Sequence, residues 1–110
     1  MENDPRAMSY AVRLGKLIRA ETISSFNEKN TEKFAGFHEL LFSMFPSFFA
    51  AAETEDFDGS LLIRWRGKSD KKPVLLMSHH DVVEASGEWK YPPFSGTVAE
   101  GKVWGRGTLD

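Results

Sequence analysis

Val74-Leu75-Leu76-Met77-Ser78-His79-His80-Asp81 is the stretch on which the reading of this chain turns. Its apolar run, Val74 to Met77, leaves no polar face, which suits a strand buried on both sides in the centre of an α/β sheet covered by helices. The polar residues that follow stand where such a strand ends, and open α/β sheets bind ligands in the crevice beyond the carboxyl ends of their strands. Two of the chain's three histidines lie there. If the extended conformation persists through Asp81, the two-residue period places His79 and Asp81 on one side and His80 on the other. A metal-binding imidazole uses one ring nitrogen on the metal and donates the other N–H to a carboxylate, which fixes its tautomer and orientation. His79 and Asp81 supply both parts. The same residues also read as a histidine satisfied by a backbone carbonyl at a strand end, with an aspartate capping the next turn.

Upstream of this stretch the periodicity is helical. Ala11, Leu14, Leu17 and Ile18 recur at three- and four-residue steps, describing an amphipathic helix over residues 7–21, although Gly15 weakens it. Met1 to Arg6 has no period and reads as a loose terminus. A second helix begins at an Asn30 or Thr31 cap, carries Glu32 in its first turn and a stripe of Phe34, Phe37, Leu41 and Met44, and stops at Pro46. His38 on that helix reads as a partly exposed helical residue. Phe48 to Thr54 is expected to form a first strand, running into Glu53, Glu55, Asp56 and Asp58, which read as a solvated turn. After Gly59, Leu61, Ile63 and Trp65 share one face of an extended segment, with Arg64 and Arg66 on the other. The expected core unites Phe34, Phe37, Leu41, Leu75 and Met77.

Downstream, Thr97-Val98-Ala99 and Lys102-Val103-Trp104 form a hairpin through Glu100-Gly101. Trp89, Tyr91, Phe94 and Trp104 are expected to pack the loop and hairpin. Gly105 and Gly107 then flank Arg106, a loop-bracing residue or a contact for an acidic group. Glycines there permit positive φ and close backbone approach, which would swing Asp110 back toward the crevice. Asp110 is a hard oxygen ligand suited to bridging two metal ions, and it also suits the first turn of a helix, where the dipole favours negative charge. These readings are compatible. A dinucleotide fingerprint does not fit, because no strand–helix unit follows the glycines.

Composition narrows the class. The 110 residues hold 14 Lys+Arg against 16 Asp+Glu, a formal charge of −2, which gives no footprint for nucleic acid or an anionic membrane. The absence of cysteine excludes disulfides, thiolate zinc sites and thiol nucleophiles, and it suits a reducing, cytoplasmic setting. The longest apolar run, Phe48 to Ala52, is far short of the roughly 20 residues of a membrane span. Two helices on one sheet leave its other face uncovered, so the domain reads as unfinished at Asp110.

Taken together, Leu75 to Val83, Trp89, Pro93-Phe94-Ser95-Gly96 and Gly101-Lys102-Val103-Trp104-Gly105-Arg106-Gly107-Thr108-Leu109-Asp110 resemble the co-catalytic zinc family of carboxypeptidase S, aminoacylase, acetylornithine deacetylase and succinyl-diaminopimelate desuccinylase. Phe34-Ala35-Gly36-Phe37-His38 and Phe45-Pro46 resemble its carboxypeptidase S branch. The resemblance spans nearly the whole chain, departing where Glu84 stands in place of a frequent proline.

It implies a three-layer α/β/α zinc-peptidase sheet, of which residues 1–110 are the N-terminal part of the catalytic domain. His79 is then a terminal ligand of one zinc, Asp81 the carboxylate that orients it, and Asp110 the bridge between two zincs, with cobalt or manganese as substitutes. The further ligands, a glutamate general base and an inserted dimerisation domain are absent from these residues. The implied activity is hydrolysis of an amide or peptide bond beside a free carboxylate, in a homodimer acting on a small peptide or N-acyl amino acid. The 110 residues alone are expected to be inactive. The rival reading is a non-catalytic interaction module built on the same α/β unit.

Overall fold

The computed structural model describes residues 3–110, and the expectation for the terminus falls partly outside them. Helix α1 (Pro5–Ile18) starts where chemistry favours it: Asp4 Oδ1 accepts from the Arg6 and Ala7 amides, and Pro5 sits at the first turn. It begins and ends earlier than the periodicity predicts, because Glu21 takes a positive φ and Thr22 turns away into a different pairing. Ala11, Gly15 and Ile18 form its buried face. Gly15 packs against Gly96, and a Cβ at Gly15 would lie 2.5 Å from the Gly96 carbonyl oxygen. The glycine that weakens the helix in isolation is therefore what lets α1 dock.

Helix α2 (Thr31–Met44) matches its expected span. Asn30 precedes it but does not cap it; its amide donates instead to the Ile23 carbonyl at 2.7 Å. Pro46 ends α2 and also opens α3 (Pro46–Ala51), which replaces the first part of the strand expected over Phe48 to Thr54, whose end at Glu53 and Thr54 is extended. A proline at the first helical position costs nothing, and the alanines after Phe49 favour continuation. Phe48 and Phe49 then pack edge-on against each other, and Phe49 does the same against Phe42.

Strand β1 (Glu53–Phe57) pairs antiparallel with β2 (Ser60–Arg64) around Asp58-Gly59, both at positive φ. The acidic stretch is thus mostly strand. Asp-Gly between extended segments is a strong hairpin signal, outweighed in the sequence reading by the run of charges. The hairpin of β3 (Thr97–Ala99) and β4 (Lys102–Trp104) has the expected strands and turn. Tyr91 packs on Trp104 with ring centroids 5.1 Å apart.

The largest correction concerns Val74 to Met77. These residues belong to no strand and are 73–88% exposed, so Leu75 and Met77 are not in the core. A strand covered on both faces needs hydrogen-bonding neighbours and a layer above and below, and none of the described residues supplies them. The core is small: Ala11, Ile18 and Phe37, with buried Thr22 and His38 beside them. The architecture is mixed α and β, helices with two separate two-stranded sheets, rather than one covered sheet. No helix among the described residues is long and apolar enough to cross a membrane.

Candidate metal-binding site

The segment that leaves the exposed run is held firmly on one side. Val82 N–H donates to the Thr22 carbonyl at 2.8 Å and Ser24 N–H donates to the Val82 carbonyl at 2.9 Å, a parallel bridge between Ile23 and Val82. The buried Thr22 hydroxyl donates to the His80 carbonyl at 2.5 Å. These bonds keep the backbone extended around His80, so neighbouring side chains point to opposite sides.

On the open side His79 meets both aspartates singled out in the sequence. Its Nδ1 lies 2.9 Å from the Asp81 carbonyl oxygen and 3.2 Å from Asp81 Oδ1, and its Nε2 lies 2.8 Å from Asp110 Oδ1. Asp110 arrives there through Gly107, whose φ of +89° and tight fit against Val82, with a Cβ 2.7 Å from Cγ1, exclude other side chains. Arg106 braces this turn: its N–H donates to the Pro93 carbonyl at 2.8 Å and its guanidinium lies 5.1 Å from the centre of the Trp89 ring. Both nitrogens of His79 face acceptors, and the Asp110 and then the Asp81 bonds raise its pKa above the ordinary imidazole value. The side chains of His79 and Asp110 are 60% and 88% exposed, so the site opens on solvent, at a cleft of about 1070 Å³ that Phe34, Phe37 and Leu41 also line.

On the opposite side His80 is half-buried. Its ring stacks on Phe37 with centroids 5.1 Å apart and planes 4° apart, and meets Phe34 edge-on. Its Nε2 faces His38 Nε2 at 3.4 Å, while His38 Nδ1 bonds Asp56 Oδ2 at 3.0 Å. Burial, and then the neighbouring His38, lower the His80 pKa. His38 is only 4% exposed, which corrects the partly exposed helical residue expected from sequence, and Asp56 is a partner rather than part of a solvated turn. Helical spacing could have found this contact, since Phe34, Phe37, His38 and Leu41 share one stripe.

The donor set suits zinc: a neutral imidazole nitrogen and a carboxylate oxygen converge, with a second carboxylate fixing the far ring nitrogen. In the doubly protonated ring, the proton between Nε2 and Asp110 takes the position that a cation needs. No group of three or more His, Asp and Glu among the described residues is arranged to hold a metal, whereas catalytic zinc takes three protein ligands.

Comparison with protein-family profiles gives no match, and no solved structure matches. Individual proteins do. Over 112 residues, 94% of this chain, it is 37% identical to a probable carboxypeptidase S-like 2 of Dictyostelium discoideum, of which that is 21%. It is 38% identical over 100 residues, 84% of the chain, to the human N-fatty-acyl-amino acid synthase/hydrolase PM20D1, covering 20% of that protein. It is 34% identical over 112 residues, again 94% of the chain, to carboxypeptidase S of Saccharomyces cerevisiae (strain ATCC 204508 / S288c), covering 19% of it. The chain spans about a fifth of the length of these curated relatives. Across the residues it contains, the chain belongs to the carboxypeptidase S branch of this peptidase family.

Proposed function

We propose that this chain carries one histidine ligand and the bridging aspartate of a two-zinc hydrolase that cleaves an amide or peptide bond beside a free carboxylate. The observation behind this reading is the 2.8 Å approach of His79 Nε2 to Asp110 Oδ1 while Asp81 holds Nδ1. His79 and Asp110 would hold the metal, and Asp81 would orient His79. Zinc bound there would polarise the scissile carbonyl and lower the pKa of a water toward about 7.

The chain's own residues prepare for that chemistry. By accepting the Nδ1 proton, Asp81 keeps the Nε2 lone pair on the open side and increases its basicity. Gly107 brings Asp110 to the same point, and the Thr22 and Val82 bonds keep the supporting backbone extended. The relatives' names, carboxypeptidase and N-fatty-acyl-amino acid synthase/hydrolase, support a small peptide or an N-acyl amino acid as substrate. The remaining ligands, the general base and a dimerisation domain belong, in this reading, to further residues of a longer homodimeric protein. Those residues would complete a three-layer α/β/α sheet around Val74 to Met77.

The test is zinc stoichiometry by elemental analysis, alongside amide hydrolysis, in the full-length protein. His79→Ala should lose one zinc and nearly all activity, and Asp110→Ala should disrupt the pairing of the metals. Full zinc content and activity in both variants would end this reading.

A further inference from the structure

We propose that His38 is a positioning residue, which holds the His80 ring and through it the backbone that carries His79 and Asp81. This rests on the metal-site reading above. The segment from Ser78 to Asp81 has a backbone restraint on one side, the Thr22 hydroxyl on the His80 carbonyl, but nothing in that restraint fixes rotation about the segment's long axis. The His80 side chain supplies the second point. It enters a slot between Phe34 and Phe37, and its inner end reaches His38.

His38 is itself fixed from behind. A carboxylate only accepts, so Nδ1 of His38 carries a proton toward Asp56, and its Nε2 meets His80 Nε2 at 3.4 Å, where one ring donates and the other accepts. The order is Asp56, His38, His80, with each ring's orientation set by the one before. Because His79 and His80 are adjacent and project oppositely, a rotation of the backbone about the segment's axis would turn both side chains together, so anchoring the His80 ring limits how far His79 Nε2 can move from Asp110. Functional sites demand placement within about 0.5 Å and 10–20°. A lone aromatic slot would leave His80 free to slide in its plane; the hydrogen bond at its end stops that.

The variant that isolates this role is His38→Phe in the full-length protein, which keeps an aromatic ring in the buried space and removes both hydrogen bonds. Zinc affinity of the metal-free protein, read by chelator competition, should weaken about tenfold, the lower end of what loss of an outer partner of a ligand costs. Turnover should fall by a similar factor with KM unchanged, because substrate contacts are untouched. His38→Gln, whose amide can reach His80, should recover most of both. If His38→Phe does not fold, Asp56→Ala, at an exposed carboxylate, must weaken zinc binding in the same direction. Wild-type zinc affinity and turnover in a folded His38→Phe, or wild-type zinc affinity in Asp56→Ala where His38→Phe is unfolded, overturns the proposal. His79→Ala measured alongside separates the two ideas: if it retains its zinc, the site itself is misassigned, and if it loses zinc while His38→Phe does not, only the positioning role fails.

Discussion

Gly15 of α1 and Gly96 before β3 touch backbone to backbone, with no room for a side chain on either. Intrinsic propensity alone would make Gly15→Ala stabilising by up to about 1 kcal/mol. The steric conflict has the opposite sign and acts between backbones, which cannot swing aside. Gly15→Ala should therefore destabilise the fold by about 1–3 kcal/mol, the usual cost of overpacking, and Gly96→Ala by at least as much because Gly96 also sits at a φ of +59°. Thermal melting of each variant checks this; a higher midpoint for Gly15→Ala would show that α1 docks elsewhere.

Replacing Asp81 by asparagine keeps an acceptor for His79 Nδ1 but removes its charge. Zinc affinity or hydrolysis in the full-length protein should drop by about 10–100-fold, with little change in melting. An Asp81→Asn protein that binds zinc as tightly as wild type would leave the backbone carbonyl of Asp81, not its carboxylate, as the group that orients His79.

Acid should loosen the β1–β2 turn. Asp56 Oδ1 accepts from Gly59 N–H at 2.9 Å and Oδ2 faces His38, and these bonds, the Gly59 one foremost, hold the carboxyl below its usual range. A depressed folded-state pKa gives stabilisation that is complete above the unfolded value of about 3.9 and disappears as pH falls through the folded value. Hydrogen exchange in the hairpin, corrected for intrinsic rates, should show protection lost below about pH 4. Asp56→Asn should lack that step, and an identical acid profile in both proteins would mean that the carboxylate does not hold the turn.

The exposed run from Val74 to Met77 offers a fourth expectation, with opposite signs in two settings. In the 110-residue chain, Leu75→Asp should improve solubility, since it interrupts an apolar segment with unpaired backbone. In a full-length protein where the run is a covered central strand, Leu75→Ala should cost about 2–5 kcal/mol. Light-scattering of the first and denaturant melting of the second decide it. Leu75→Ala that is neutral in the full-length protein would show that the run is never buried.

What was legible in the sequence follows the range of the forces involved. Helix α2 and the β3–β4 hairpin are set by contacts within a few residues, and their spans could be read. The opposite projection of His79 and His80 follows from strand geometry alone. Other features depend on partners distant in the chain. The propensity cost of Gly15 is visible locally, but its use is visible only beside Gly96. His38 looks exposed until His80 and Asp56 arrive from segments 42 and 18 residues away. The error at Val74 to Met77 has the same cause: an apolar run states a demand for cover, and the described residues contain nothing that meets it. Phe48 to Thr54 is a different case, because Pro46 is equally a stop for α2 and a start for α3.

The bond between Thr22 and His80 joins residues 58 apart in the chain, and this sets an order of assembly. Helix turns and hairpins close in about 0.1–10 microseconds, so α1, α2 and both hairpins can form from local contacts. The bridge that straightens the segment around His79 waits until the intervening chain has closed its loop, an entropic cost that long-range contacts pay before they are rewarded. During synthesis, α1, α2 and the first hairpin emerge before any of the His79 segment does. His79 thus arrives on a support of helices already in place, and a mutation at Thr22 should slow the appearance of the site more than it slows the appearance of the helices.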